Sequence, residues 1–254
     1  FINSCKTENI TQEQIDEIDS ILEGTSVFNK KRTRISDVKK TRNDLIKSSL
    51  LQTFKLDSIQ RSVALQVPNG PQRIRGLAGT GKTIILSMKA ALTHISNDDF
   101  KILFVFNTQS MYNQIRNNIE KYTIEEASKA PNWDKLMVFH AWGGRRKEGL
   151  YSYLCSQYGL APKTLYETRH VSDPYQYIYS DFLSQKKNEI NPIFDMVLID
   201  EAQDFPPAFF ETIFYITKQP KRIIWAYDEF QSLNELKISD PETLFGINNA
   251  KKPN

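Results

Sequence analysis

Short apolar runs and helical patterns alternate through most of this chain. The apolar runs are "QRIRG" at 72–76, "KILFVFN" at 101–107, "LMVFH" at 136–140, "FDMVLID" at 194–200 and "KRIIWAYD" at 221–228. The runs at 101, 194 and 221 lack strict in–out alternation, which predicts strands covered on both faces. Helical patterns fill 83–93, 110–122 and 207–217. Strand–helix–strand alternation of this kind predicts an α/β fold, a parallel sheet with helices on both faces. Such sheets bind ligands beyond the carboxyl ends of their strands. The residues with the most distinctive chemistry follow the strands at 76, 107, 140, 200 and 228.

Two stretches break the alternation. Residues 1–53 are polar and helix-prone, with "TQEQIDEIDSILEG" as an amphipathic helix capped by Thr11 and striped by Ile15, Ile18, Ile21 and Leu22. The basic run "KKRTRISDVKKTR" at 30–42 comes next, and its plainer reading is a solvated linker or helix face. This divides the chain into a helical and basic N-terminal extension, 1–53, and a main domain, 54–254. The second stretch, 143–191, is rich in Tyr, Lys and Ser and reads as a mostly helical insertion between core strands.

Composition narrows the field modestly. With 40% hydrophobic and 25% charged residues among 254, the chain has ordinary globular usage. Its 33 basic and 30 acidic residues leave a net charge of +3, so only local clustering can speak to a polyanionic partner. Cys5 and Cys155 have neither metal-site nor redox spacing, which points to a reducing, cytoplasmic compartment. No apolar run approaches the roughly 18 residues of a membrane span, so no membrane partner is expected. The N-terminus has no secretion-signal layout, and a first residue other than Met suggests a piece of a longer protein.

The candidate chemistry begins at "GLAGTGKT", which satisfies G-x-x-x-x-G-K-[ST] between a β-type run and a helical one. Backbone N–H groups can surround phosphate only where no Cβ holds the chain away, and glycines permit that approach. Gly76, Ala78, Gly79, Thr80, Gly81, Lys82 and Thr83 are therefore the expected phosphate seat. Lys82 would neutralise β- and γ-phosphate charge, and Thr83 would place its hydroxyl on Mg²⁺. At the end of the run "MVLIDEAQD", two carboxylates leave a buried strand, which is costly unless a cation or reacting group is waiting. Asp200 would hold Mg²⁺, and Glu201 would orient or deprotonate the attacking water. Asp204 reads more plainly as a helix cap.

"GLAGTGKT", "LIDEAQD" and "YDEFQ" occur in the order seen in superfamily 1 helicases of the UvrD/Rep kind, and the chain resembles that family over about residues 56–246. The resemblance implies a RecA-like P-loop NTPase that uses ATP and Mg²⁺ to move along single-stranded nucleic acid, DNA ahead of RNA. It implies an adenine-reading role for Gln60 in "LDSIQ" and a γ-phosphate-sensing role for Gln231 in "YDEFQ". Asp228 matches the same motif, and Tyr227 stands where the family usually has glycine. Asn107, Thr108 and Arg116 in "FNTQSMYNQIR", with Phe139, His140 and Trp142 in "FHAW", resemble motifs that touch the strand. Aromatic rings there could stack on bases, although a Phe or Trp at a strand end is often core. The family also needs a second RecA-like domain whose arginines stabilise charge on the γ-phosphate, worth about 10³–10⁵ in rate in related enzymes. The isolated chain is accordingly expected to bind ATP and turn it over weakly.

Other classes fare unevenly against these residues. An ATP-gated switch that regulates a partner without unwinding shares every one of them. A GTPase finds no N-K-x-D guanine motif, since "NKKR" lies upstream of the glycine turn. A small-molecule kinase explains neither Glu201 within "DEAQD" nor the later "YDEFQ".

Overall fold

The computed structural model describes residues 63–143 and 148–228. Gln60, Gln231, the N-terminal helical pattern and the basic run lie outside the described residues. The chain separates into two compact units, Phe1–Val63 and Ala64–Asn254.

In the second unit the elements run β1 (Gln72–Arg75), α1 (Lys82–Ser96), β2 (Ile102–Phe106), α2 (Met111–Ala127), β3 (Leu136–His140), α3 (Leu150–Gln157), α4 (Pro174–Lys186), β4 (Phe194–Ile199), α5 (Pro207–Ile216) and β5 (Thr217–Tyr227). Short 3₁₀ turns occupy Lys187–Glu189 and Ala202–Asp204. The strands form one sheet in the order β1-β5-β4-β2-β3, and every neighbouring pair is parallel. The predicted parallel sheet is therefore present, and its order places β5 between the strands that end at the glycine turn and at the carboxylates.

The two central strands explain why alternation was absent from the sequence. All five residues of β2 are buried, as are five of the six in β4. Leu103, Val105, Val197, Ile199, Ile223 and Trp225 join a core with α3, α4 and α5. The intervening residues point to the other face, where α1 packs on β2, β4 and β5, and α2 packs on α1. Burying each such apolar side chain contributes roughly 1.5–3 kcal/mol. The insertion is helical at α3 and α4 and turn-rich between them. Asp173 caps α4 by accepting from Gln176 N at 2.9 Å, and Pro174 follows at the first helical position.

β5 departs from its sequence reading by starting at Thr217, directly after α5. Its polar, proline-bearing first turn hid the strand. Thr217 pairs with Phe194, the register then shifts, and Lys218 bonds both carboxylate oxygens of Asp195 at 3.0 Å.

Candidate functional site

Strand ends meet along one edge of the sheet, and the glycine turn lies there between β1 and α1. Gly79 and Gly81 adopt φ of +76° and +85°, the left-handed region that glycine enters without a Cβ clash. A Cβ on Gly76 would stand 2.7 Å from Thr80 Oγ1, so a larger residue there would push the Thr80 hydroxyl aside. Leu77, Ala78, Gly79 and Thr80 are exposed, and Thr80 Oγ1 donates to Leu77 O at 2.8 Å. α1 starts at Lys82 without a side-chain cap, so its first-turn N–H groups face the turn with no intrahelical acceptor.

Lys82 is 6% exposed and folds back over its own loop. Its Nζ donates to Gly76 O at 3.1 Å and Leu77 O at 3.0 Å, and stands 4.0 Å from Asp228 Oδ2. Thr83 Oγ1 donates to Asp200 Oδ2 at 2.6 Å. Asp200 is wholly buried, with its other oxygen accepting from Glu201 N at 3.2 Å. Burial pushes the Asp200 carboxyl up to about 6 against the pull of Thr83. Thus Lys82, Thr83, Asp200 and Asp228, contributed by α1 and by the ends of β4 and β5, converge at one place. The Gly76 N–H also reaches Tyr227 O at 3.4 Å.

Glu201 is half-buried and takes φ +50°, an uncommon conformation for a residue with a side chain. Its Oε2 accepts from Gln203 Nε2 at 2.7 Å, while Gln203 Oε1 accepts from Asp228 N at 3.2 Å. Gln203 therefore bridges the carboxylate turn to the end of β5. Sequence reasoning gave it no role. The available signal was an amide, able to donate and accept at once, inside "DEAQD".

The candidate strand-touching residues divide. Asn107 sits at the end of β2, where its Nδ2 donates to Asp204 Oδ2 at 3.3 Å and its Oδ1 accepts from Tyr175 Oη at 2.6 Å. Thr108 is exposed beside it. Arg116 lies 3.8 Å over the Trp133 ring and donates to Tyr112 Oη at 2.9 Å. Phe139 is half-buried against Tyr153. Trp142 is 6% exposed, packed against Tyr151 and Tyr175, with its indole N–H on Lys163 O at 2.9 Å. That is a core placement, with no open ring face for a base. His140 Nδ1 accepts from Trp142 N at 3.1 Å and Gly143 N at 3.2 Å, so it organises the turn after β3. Burial lowers its pKa, opposed by a bond with the Asn107 backbone. Tyr227 is buried in the core beneath Arg73.

A parallel sheet with helices on both faces, a glycine turn leading into a helix, and a buried carboxylate on that helix's first hydroxyl define a RecA-like ATPase domain of the helicase-like kind. Residues 50–224 match the family described as type III restriction enzyme, res subunit, and the chain belongs to that family. The family is one of helicase-like ATPase motor domains, which implies nucleic-acid binding. No curated protein matches the chain. Among the described residues no helix is long and apolar enough to cross a membrane.

Proposed function

We propose that the chain is the ATP-binding first motor domain of a superfamily 1, UvrD-like DNA helicase or translocase of the cytoplasm. It hydrolyses ATP with Mg²⁺ and moves along single-stranded DNA once joined to a second RecA-like domain of its parent chain. The superfamily 1 part rests on "DEAQD" and "YDEFQ"; the matched family is of the superfamily 2 type, and the ATPase core is common to both. The observation that carries the proposal is the 2.6 Å contact of Thr83 with buried Asp200, with Lys82 and Asp228 beside it.

Mg²⁺ fits this donor set. A wholly buried carboxyl whose pKa rises through burial gains from a cation, and a hydroxyl already points at it. Mg²⁺ ordinarily takes one or two carboxylates together with substrate phosphates, so a single Asp and a Thr suffice. Thr83 and Asp200 would hold it, and when bound it neutralises charge on the phosphate oxygens.

The chain's own residues do the rest. The N–H groups of the glycine turn and of the first turn of α1 bind the phosphates. Lys82 exchanges its two loop carbonyls for β- and γ-phosphate oxygens. Glu201 holds a water in line with the γ-phosphorus and accepts its proton as the oxygen attacks. The bond to the β–γ bridging oxygen breaks, and that oxygen leaves on ADP. The strained turn at Glu201 and the Gln203 bridge aim its carboxylate. Gln60 reads adenine and Gln231 senses the γ-phosphate. Asn107, Thr108, Arg116, Phe139 and His140 lie along the route of the strand, and Trp142 supports it from the core.

The test uses the full-length parent protein, with ATPase measured with and without single-stranded DNA. Wild type is expected to be stimulated. Glu201→Gln should bind Mg–ATP with unchanged Kd and turn it over about 10²–10⁴-fold more slowly. Absence of any wild-type ATPase overturns the proposal, and normal turnover by Glu201→Gln overturns the water-orienting role.

A further inference from the structure

We propose that Tyr175, in the helical insertion, is a positioning residue that holds the carboxylate turn through Asn107 and so couples strand engagement to hydrolysis. The inference rests on the motor reading above. Four contacts carry it. Tyr175 Oη donates to Asn107 Oδ1 at 2.6 Å, and Asn107 Nδ2 donates to Asp204 Oδ2 at 3.3 Å. Asp204 N in turn donates to Glu201 O at 3.0 Å, closing the turn that presents the Glu201 carboxylate. The next residue of α4, Gln176, accepts from Ala208 N at 3.2 Å through its Oε1. The first turn of α4 therefore holds the segment after β4 at Asp204, through Asn107, and at Ala208.

The ring of Tyr175 has a second attachment. It meets Trp142 edge-on at 5.4 Å and Phe205 edge-on at 5.9 Å. Trp142 is two residues beyond His140, whose Nδ1 fixes the turn after β3. Phe205 directly follows Asp204 and stacks on Phe209 at 4.1 Å. One side chain thus touches the ends of β2 and β3, where a strand would run, and the turn after β4, where water would be activated. Burial pushes the Tyr175 hydroxyl up to about 12, so it remains a donor throughout the working range. A proton always lies between Tyr175 and Asn107, which leaves the Asn107 amide N–H₂ free to face Asp204. A displacement of the β2 or β3 ends by bound nucleic acid reaches Glu201 through this chain of bonded groups.

The mechanism predicts a particular kinetic split. Tyr175→Phe deletes one oxygen and keeps the ring between Trp142 and Phe205. In the full-length protein the KM for ATP should stay at its wild-type value, and the ATPase rate without nucleic acid should fall by less than the stimulation does. The stimulation by single-stranded DNA should fall about five- to ten-fold, the size of one hydrogen bond. Asn107→Ala should lower stimulation similarly, and the double variant should be no worse than the poorer single one. Unchanged stimulation by Tyr175→Phe overturns the inference, and so does a loss shared equally by the basal rate. Additive losses in the double variant also overturn it. A wild type without ATPase overturns the motor reading instead, so the two failures are told apart.

Discussion

The two edges of this sheet both carry buried charged side chains and use them in opposite ways. At the amino edge, Lys218 holds both oxygens of Asp195 at 3.0 Å, and Asp195 also accepts from Lys101 N at 2.9 Å. Lys221, 7% exposed, donates to Phe214 O at 2.7 Å and Thr217 O at 2.6 Å, satisfying carbonyls at the end of α5. At the carboxyl edge, Lys82 is equally buried and also bonds two carbonyls, but these belong to an exposed loop at 3.0–3.1 Å. Its acidic neighbour Asp228 remains at 4.0 Å, and buried Asp200 has a hydroxyl where a cation would be. Charges at the amino edge are paired for folding. Under the proposed function those at the carboxyl edge are gathered for a guest, and that reading separates the roles of two lysines of the same burial.

Exchanging the two lysines' fates is the strongest way to break the comparison. Lys82→Ala should abolish measurable Mg–ATP binding, at least about 100-fold in Kd by calorimetry, while moving the thermal midpoint little. Lys82 gives up its loop carbonyls to solvent, and those carbonyls lie in an exposed turn. Lys221→Met should do the reverse. Nucleotide Kd should hold, and stability should fall by about 1–3 kcal/mol as two helix-end carbonyls lose their donor. A Lys221→Met protein with wild-type denaturant midpoint would dissolve the distinction between the edges.

This contrast also explains what was legible in the sequence. The meeting of Thr83 and Asp200 was legible because each sits in a local string beyond a strand end, and the strand before Asp200 and Glu201 is largely apolar and buried, where charge is improbable without a purpose. The central strands were readable for a related reason: five consecutive apolar residues at Ile102–Phe106 leave no solvated face. What stayed hidden depends on contacts distant in the chain. Gln203 matters through Asp228, and Asn107 through Tyr175 and Asp204. No local pattern announces such pairs. Trp142 shows the converse, since an aromatic residue after a strand reads equally as stacking platform or core, and packing by Tyr151 and Tyr175 decides it. The start of β5 was lost because Lys218, Gln219 and Pro220 carry no strand signal, and only the pairing of Thr217 with Phe194, beyond a register shift, extends the strand to it.

A third buried lysine sharpens the comparison with the smallest effect. Lys89 lies mid-way along α1, fully buried, and its ammonium bonds Gln66 O. It belongs to neither edge, and burial pushes its pKa down to about 8 from the ordinary 10.5. Between those values the unfolded chain keeps a proton that the folded chain has released. Raising pH through that window therefore favours the folded state, and the charged lysine's cost is fully present below about 8. Wild type compared with Lys89→Met should show this as a stability difference that moves in wild type's favour from about pH 7 to about pH 9.5, by about 1–2 kcal/mol. The difference removes the contribution of the buried tyrosines, Tyr151 and Tyr175, whose raised pKa values act the opposite way above about pH 10. Denaturant melts of both proteins at each pH measure it. A difference independent of pH would mean that Lys89 keeps its proton in the folded chain, its carbonyl partner offsetting the cost of burial.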